Sequence, residues 1–265
     1  EAAQFMNYQR QWRKYHFEAN VNYENMIGDD HRFTGLLYYY MSDEKDTYNV
    51  KTSMDAIPKR YQGLSGRVTY GFKDTYFVDA NFGYTGSENF RPGQQFGFFP
   101  SGAIGWVPTN YDFMKKALPW LNFLKFRFSY GSLGNQDLKE NYYAYLATMG
   151  SGKISQILDG KQPIGVSAPG LVAGNLTWEK VTTADWGMDI NFLNNRLTAT
   201  VDGYIRRTKD MLTGGAELPN VLGTSEPLEN AADLKTTGWD LTVSWRDNVK
   251  LAGKTLNYGL SFNIG

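Results

Sequence analysis

The sequence predicts an all-β protein, an antiparallel transmembrane β-barrel, and three observations lead to that prediction. Apolar and polar residues alternate with a period of two, tight turns alternate with long polar loops, and aromatic residues make up 15% of the 265 residues. Strands that are apolar on one face, joined by short turns at one end and long loops at the other, are typical of barrels of the outer membrane.

Two strands and a long loop are predicted at the start of the chain. The first strand, Trp12 to Ile27, alternates apolar residues such as Phe17 with polar residues such as Glu18, and it turns at the sequence GDD into a second strand, His31 to Met41. Because side chains of a strand point alternately to opposite faces, each strand has one apolar face. The polar stretch that follows predicts a long loop near 42–60.

The next two strands are joined by a tight turn. The strand from Tyr61 to Phe72 turns at Lys73 and Asp74 into a segment starting at Tyr76, in which an apolar row again alternates with polar or small residues. The far end of this segment is Gly-rich and predicts a second long loop near 86–95.

The middle of the chain departs from the pattern once. Between Trp106 and Phe123 the expected tight turn expands into a connection near 107–122, in which Asp112 to Leu118 is predicted to form a short helix. Strand parity assigns this connection to the end that carries the tight turns, which is the periplasmic end of an outer-membrane barrel. The following strand leads into a long excursion near 133–177.

The last strands show the two faces most clearly. The strand from Thr182 to Phe192 turns at an Asn-Asn pair into Leu197 to Ile205, and a loop near 207–233 leads to a strand at Trp239 to Trp245. Acidic residues occupy the face opposite the apolar rows of these strands: Asp185, Asp189, Asp202 and Asp240. A soluble barrel packs its apolar face inward, whereas in lipid that face points outward and the acids line a wet lumen. The length of the strands, about ten in all, and the aromatics near their ends favour the membrane.

Composition and motifs exclude several function classes. The 27 basic residues balance 27 acidic ones, so a nucleic-acid partner is not expected, and the absence of cysteine excludes disulfides and thiolate metal sites. The stretch ATMGSGKIS lacks the first Gly and the Ser or Thr of a phosphate-binding loop, and SDEKD lacks the ligand spacing of a calcium loop. His16 and His31 have no carboxylate cluster at ligand spacing. We therefore expect no enzyme activity, no metal and no cofactor.

Several motifs resemble those of one family. The segments FGFFPSGAIGWV, LKFRFSYGSLGNQ and NLTWEKVTTADWGMDINFLNNRLTATVDGYIRRTKDML are similar to the barrel of SusC/RagA-type TonB-dependent transporters of Bacteroidota outer membranes. The resemblance extends through GRVTYGFKDTYFVDANFGYTGSENF and LPNVLGTSEPLENAADLKTTGWDLTV, so it covers most of the chain from Gly66 to Val243.

The resemblance implies a single barrel domain of about 22 strands with an N-terminal plug, of which residues 1–265 supply about half of the strands. The plug and its TonB-contacting segment are expected to lie outside this chain, which we interpret as an internal fragment of a longer polypeptide. The long loops then face the cell exterior.

The implied function is TonB-dependent import of glycan oligosaccharides, or of other large nutrients, across the outer membrane. The implied partners are a SusD-like surface lipoprotein, the TonB–ExbB–ExbD complex, the ligand and outer-membrane lipid. Two alternatives stay open: import of a peptide or a siderophore, and a surface β-protein that binds glycans without transporting them.

Five loop residues are candidates for ligand contact. Sugar faces stack on aromatic rings, while amides and charged groups bind their hydroxyls. Such groups occur in the predicted loops: Asn89, Arg91, Tyr142, Tyr143 and Tyr145. The competing interpretation is that these residues only order the loops or contact a partner.

Overall fold

A computed structural model gives the fold of residues 11–46, 54, 57–137, 143–172, 174, 176–215, 217–219, 221, 226–251 and 254–265. The strands are β1 (Trp12–Ile27), β2 (His31–Asp46), β3 (Lys59–Phe72), β4 (Tyr76–Ser87), β5 (Phe96–Trp106), β6 (Leu121–Asn135), β7 (Ser151–Lys153), β8 (Ile164–Val166), β9 (Glu179–Phe192), β10 (Leu197–Gly214), β11 (Leu228–Leu251) and β12 (Lys254–Ile264). The helix α1 (Asp112–Ala117) follows a 3₁₀ turn at Pro108–Asn110.

Within the described residues, ten strands form one antiparallel sheet. Their order is β1-β2-β3-β4-β5-β6-β9-β10-β11-β12, so strands adjacent in the chain pair with each other, and β9 pairs with β6. The two remaining strands, β7 and β8, form a separate small hairpin. This arrangement confirms the predicted all-β antiparallel architecture, and the described part of the chain contains no plug-like helical unit.

The tight turns lie where the sequence predicts them. In the β3–β4 turn Lys73 and Asp74 have positive φ values of 52° and 48°, as a type I′ hairpin turn requires at both of its central residues. In the β9–β10 turn Leu193, Asn194 and Asn195 have φ values of 53° to 64°. We call this end of the sheet the short-turn end and the opposite end the long-loop end. The predicted helix at Asp112–Leu118 is confirmed as α1.

The strands are longer than the hydropathy pattern indicates. β2 continues to Asp46, β10 to Gly214, and β11 begins at Leu228, within segments assigned to the loops near 42–60 and 207–233. The reason is that these strand ends are polar, so the alternation of hydropathy stops while backbone pairing continues. In the β2–β3 ladder, for example, the pairing reaches Glu44 and Lys59.

In the central strands β4, β5 and β6 the apolar row is more exposed than the polar row. Val78 and Phe98 on the apolar rows of β4 and β5 are 49% and 59% exposed. On the opposite face, the side chains of Arg127 and Asp202 are only 33% and 25% exposed although they are charged. Side chains crowd together on the concave side of a curved sheet. We therefore define the polar rows as the inner face and the apolar rows as the outer face.

Aromatic rings contact one another along the outer face at the short-turn end. We call this set the aromatic belt; it consists of His31, Tyr70, Phe72, Tyr76, Tyr111 and Phe113, with the pairs Trp106–Phe126 and Trp120–Phe192 farther along the sheet. The ring centroids of these pairs lie 4.9 to 6.5 Å apart, within the range of favourable aromatic contacts. In the part of the chain that the structure describes, no helix is long and apolar enough to cross a membrane.

The buried core is small and lies at the long-loop end. Phe90, Leu176 and Trp178 are almost fully buried, and Phe99 packs against them. The Trp178 ring lies 5.0 Å from that of Phe90 and 5.5 Å from that of Phe99. Since Phe90 and Leu176 come from two different long connections, this cluster holds those connections against the inner face of β5.

Candidate functional site

An ionic cluster lies on the inner face where β6, β9 and β10 run side by side. The Arg127 guanidinium donates from Nε to Asp189 at 2.8 Å and from Nη2 to Asp202 at 2.7 Å. The Thr200 hydroxyl donates to Asp189 at 3.1 Å. Gly187 lies between Arg127 and Asp202 in the strand register, and a Cβ there would be 2.3 Å from the Asp202 carboxylate. The glycine therefore provides the space that the Arg127 side chain occupies.

The charged groups of this cluster contact one another on the inner face of the sheet. Arg127 contacts two carboxylates, so the cluster keeps one negative charge in excess, and it links three strands on the inner face. Among the described residues, no three His, Cys, Asp or Glu side chains are grouped so that they could hold a metal ion. The arrangement suits a polar, passive wall.

A second charged group lies at the long-loop end. Arg60 donates from Nε to Asp43 at 2.5 Å and approaches Glu88 at 3.7 Å. With Ser42 and Gln95, among others, these residues line a cleft of about 270 Å³, which we call the charged cleft. It opens between the long-loop ends of β2, β3, β4 and β5.

Tyr143 fastens a long loop to this end of the sheet. It is only 5% exposed, and its hydroxyl donates to the backbone carbonyl of Pro58 at 2.8 Å. Burial, and then the nearby Glu88 carboxylate 3.4 Å away, raise the pKa of the Tyr143 hydroxyl to about 12. The ring of Tyr145 contacts that of Tyr143 edge to face at 6.3 Å, and burial raises the pKa of Tyr145 as well. The structure thus brings Tyr143, Tyr145 and Glu88 together.

The contacts of the other predicted site residues are with residues other than these tyrosines. Asn89 donates from its backbone N–H to the Ser87 hydroxyl at 3.2 Å. Arg91 is exposed, and its carbonyl accepts a hydrogen bond from the Gln94 N–H at 3.0 Å. Tyr142 lies outside the described residues. Ligand contact by any of the five stays a prediction.

An uncharged cavity of about 440 Å³ lies on the inner face beside the charged cleft. Its lining combines aromatic rings with hydroxyl and amide groups and contains no charged residue; it includes Tyr40, Phe99, Trp178, Ser65, Asn81, Thr85, Ser101, Ser132 and Gln136. Hydropathy patterning does not single out Tyr40 and Phe99, because both belong to the polar rows. The sequence feature that could identify them is an aromatic residue within the polar row of a strand.

Comparison with known proteins identifies the family. The family described as TonB dependent receptor-like, beta-barrel matches residues 2–265. The chain therefore belongs to the TonB-dependent receptor β-barrel family, whose members are receptors and transporters rather than enzymes.

Two curated relatives illustrate the match. The TonB-dependent receptor SusC of Bacteroides thetaiotaomicron is 31% identical over 203 residues, which cover 75% of this chain and 19% of that protein. The TonB-dependent receptor P39 of Formosa agariphila is 26% identical over 270 residues, covering 93% of this chain and 25% of that protein. The chain thus spans a quarter or less of the length of these relatives, and its resemblance to SusC-type receptors is confirmed.

Solved structures show the same fold. The RagAB peptide transporter superposes with a TM-score of 0.73 at 22% identity, over 96% of this chain and 30% of the matched chain. The siderophore receptor PirA of Pseudomonas aeruginosa superposes with a TM-score of 0.56 at 11% identity. These likenesses confirm the predicted barrel fold of the TonB-dependent class.

Proposed function

We propose that this chain forms part of the barrel wall of a longer, SusC-type importer in the outer membrane, one that takes up glycan oligosaccharides too large to diffuse through open pores. The family match over residues 2–265 carries the proposal. Its relatives are named TonB-dependent receptors, and the pattern of an apolar outer face and a polar inner face suits a wall between lipid and a wet lumen.

The aromatic belt supports the membrane location. Aromatic side chains concentrate where the apolar band of a barrel meets the polar surface of the membrane. In this chain the belt follows the short-turn end across several strands, and the exposed apolar rows lie above it. With the tight turns at the periplasmic side, the connection at 107–120 is periplasmic, and the loops at 47–58, 88–95, 136–178 and 215–227 face the exterior.

The importer acts with partners that this chain does not itself supply. A SusD-like surface lipoprotein closes over the long loops, and the TonB–ExbB–ExbD complex pulls on a plug to open the path. The residues of the wall contribute a polar lining and the anchor points of the loops, such as the bond from Tyr143 to Pro58. Loop residues Asn89, Arg91, Tyr142 and Tyr145 are proposed to contact ligand or lipoprotein.

Peptide import is the second candidate. The RagAB complex, which is described as a peptide transporter, has the same fold over 96% of this chain. That description is the observation that favours this candidate. A siderophore importer or a surface protein that binds glycans without transport remains a further alternative.

Growth of a deletion strain tests the import. Deleting the gene that encodes the full-length receptor is expected to abolish growth on one complex glycan while growth on its monosaccharide is unchanged. A strain lacking TonB function should show the same loss, and the intact gene supplied in trans should restore growth. Loss of growth on peptides alone would favour the second candidate. Unchanged growth on every complex glycan and peptide would contradict the import.

A further inference from the structure

We infer that the uncharged cavity is a subsite for one ring of a neutral saccharide on the wall of the lumen. The inference rests on the proposed function, and it deepens that function by naming a ligand class and the residues that recognise it. The volume of the cavity, about 440 Å³, falls within the range of about 300–1,000 Å³ that is common for small-molecule sites.

Two aromatic rings stand at opposite sides of this cavity. Tyr40 comes from β2, and its ring lies over Gly63 of β3, where a Cβ would be 2.6 Å from the ring. Phe99 comes from β5, and its ring lies over Gly134 at the end of β6. Since neighbouring strands are about 4.8 Å apart, β2 and β5 are separated by about 14 Å. A sugar ring therefore fits between them.

Backing contacts hold both rings in place. The Tyr40 ring contacts Tyr38 at 5.7 Å and Tyr61 at 6.0 Å, and its hydroxyl lies 3.4 Å from that of Thr85. The Phe99 ring meets the buried Trp178 edge to face at 5.5 Å. Rings fixed in this way lose little conformational entropy when a ligand binds, which favours a binding role.

The floor between the rings carries hydrogen-bonding groups without charge. Ser65, Asn81, Ser101 and Ser132 contribute hydroxyl and amide groups from β3 to β6. Gln136, at the cavity margin, has a buried side-chain carbonyl oxygen with no hydrogen-bond partner among the described residues. A buried acceptor without a partner is costly, and a sugar hydroxyl would satisfy it.

This lining selects against charged ligands. A peptide terminus or a phosphate that leaves water needs an opposite charge, and no charged side chain lines this cavity. The C–H face of a neutral sugar, in contrast, packs on an aromatic ring while its hydroxyls exchange water for amides and hydroxyls. The lining therefore suits a neutral ligand rather than a charged one.

Binding to the purified full-length receptor tests this assignment. The probes are neutral oligosaccharides of several residues prepared from starch, fructan, xylan and mannan, and tryptic peptides of casein, measured by calorimetry in detergent. The structure predicts that Tyr40→Ala and Phe99→Ala each weaken the binding of a neutral oligosaccharide by about three- to tenfold. Peptide binding is expected to remain unchanged in both variants.

Three control variants separate a binding role from a folding defect. Tyr40→Phe keeps the ring and should retain most of the affinity. Phe98→Ala removes a neighbouring ring from the outer face and should leave saccharide binding unchanged. Gly63→Val leaves Tyr40 present but displaces its ring, and it should weaken binding as Tyr40→Ala does. Circular dichroism melting curves of all variants show whether the barrel is intact.

The outcomes distinguish this inference from the import itself. If the receptor binds none of the neutral oligosaccharides, or binds them equally well in the Tyr40→Ala and Phe99→Ala variants, the subsite assignment is overturned. TonB-dependent growth on a glycan in the same strains would then leave the proposed import standing. Weakened peptide binding in both variants would likewise overturn the saccharide assignment.

Discussion

On the inner face, large side chains occupy the space next to glycines of the neighbouring strand. Gly187 admits the Arg127 guanidinium between Asp189 and Asp202, and Gly63 admits the ring of Tyr40. In both cases the neighbour occupies the space of the missing Cβ, so it is held in one position. The sequence shows these glycines, but only the strand register shows which side chain each of them accommodates.

Tyr143 makes the attachment of the long loop sensitive to alkaline pH. Its pKa is about 12 in the folded protein and about 10 when unfolded, so folding favours the protonated hydroxyl. The stabilisation is complete below about pH 10, because both states are then protonated, and it is lost as the pH rises towards 12. We expect proteolysis of the loop at 143–172 to accelerate over this range.

The variant Tyr143→Phe serves as the matched control. It removes the hydrogen bond to Pro58, which costs about 0.5–1.5 kcal/mol, and it removes the titrating group. Its loop should therefore be cleaved faster than that of the wild type at neutral pH and should lack the alkaline step. An identical pH profile in the two proteins would refute this role of Tyr143.

At the scale of elements, the tight turn between β3 and β4 depends on Asp74, a residue type that tolerates positive φ. Asp74 has a φ of 48°, which a β-branched residue adopts only with strain. We expect Asp74→Val to lower the free energy of unfolding by about 1–2 kcal/mol, measured by urea titration in detergent. Asp74→Asn should be nearly neutral, because Asn adopts this conformation readily. If Asp74→Val leaves the free energy of unfolding unchanged, the turn adopts a different type in that variant.

The two faces of β10 are expected to meet different solvents. Val201 lies on the outer face and is 37% exposed, whereas Thr200 points inward and donates to Asp189. In membranes, a fluorophore on Val201→Cys should be quenched by a lipid-phase quencher, and Thr200→Cys should react with a water-soluble maleimide. Arginine should cost about 2–4 kcal/mol at position 201 and little at position 200. Shielding of position 201 from both lipid and water would indicate a packed core instead.

The elements also show how far the sequence alone can predict this structure. The turns at Lys73–Asp74 and in the β9–β10 connection are predictable because Asp74, Asn194 and Asn195 are of residue types that tolerate positive φ. The polar ends of β2 and β10 are not, since pairing there follows the neighbouring strand rather than hydropathy. The uncharged cavity is not predictable either, because its lining residues are distant in the chain and only the strand register brings them together.

At the scale of the whole molecule, the outer face predicts how the full-length receptor fractionates. Exposed apolar rows of this extent are stable in a lipid environment and aggregate in water. We expect the receptor in the outer-membrane fraction, where high salt does not extract it and detergent does. The soluble periplasmic protein maltose-binding protein and a known outer-membrane porin are the controls. Recovery of the receptor in a soluble fraction would disprove the barrel orientation.

The strand order has a consequence for the kinetics of assembly. Every other pair of neighbouring strands is joined by a much shorter segment, but β6 and β9 pair only after residues 136–178 have been looped out. The entropic cost of closing a loop rises with its length, and pairings between distant residues form more slowly. We therefore expect β1–β6 and β9–β12 to form as two separate antiparallel sheets, with the pairing of β6 with β9 forming last. In pulse-labelling hydrogen exchange, the amides that pair β6 with β9 should gain protection after those of the β3–β4 and β9–β10 hairpins.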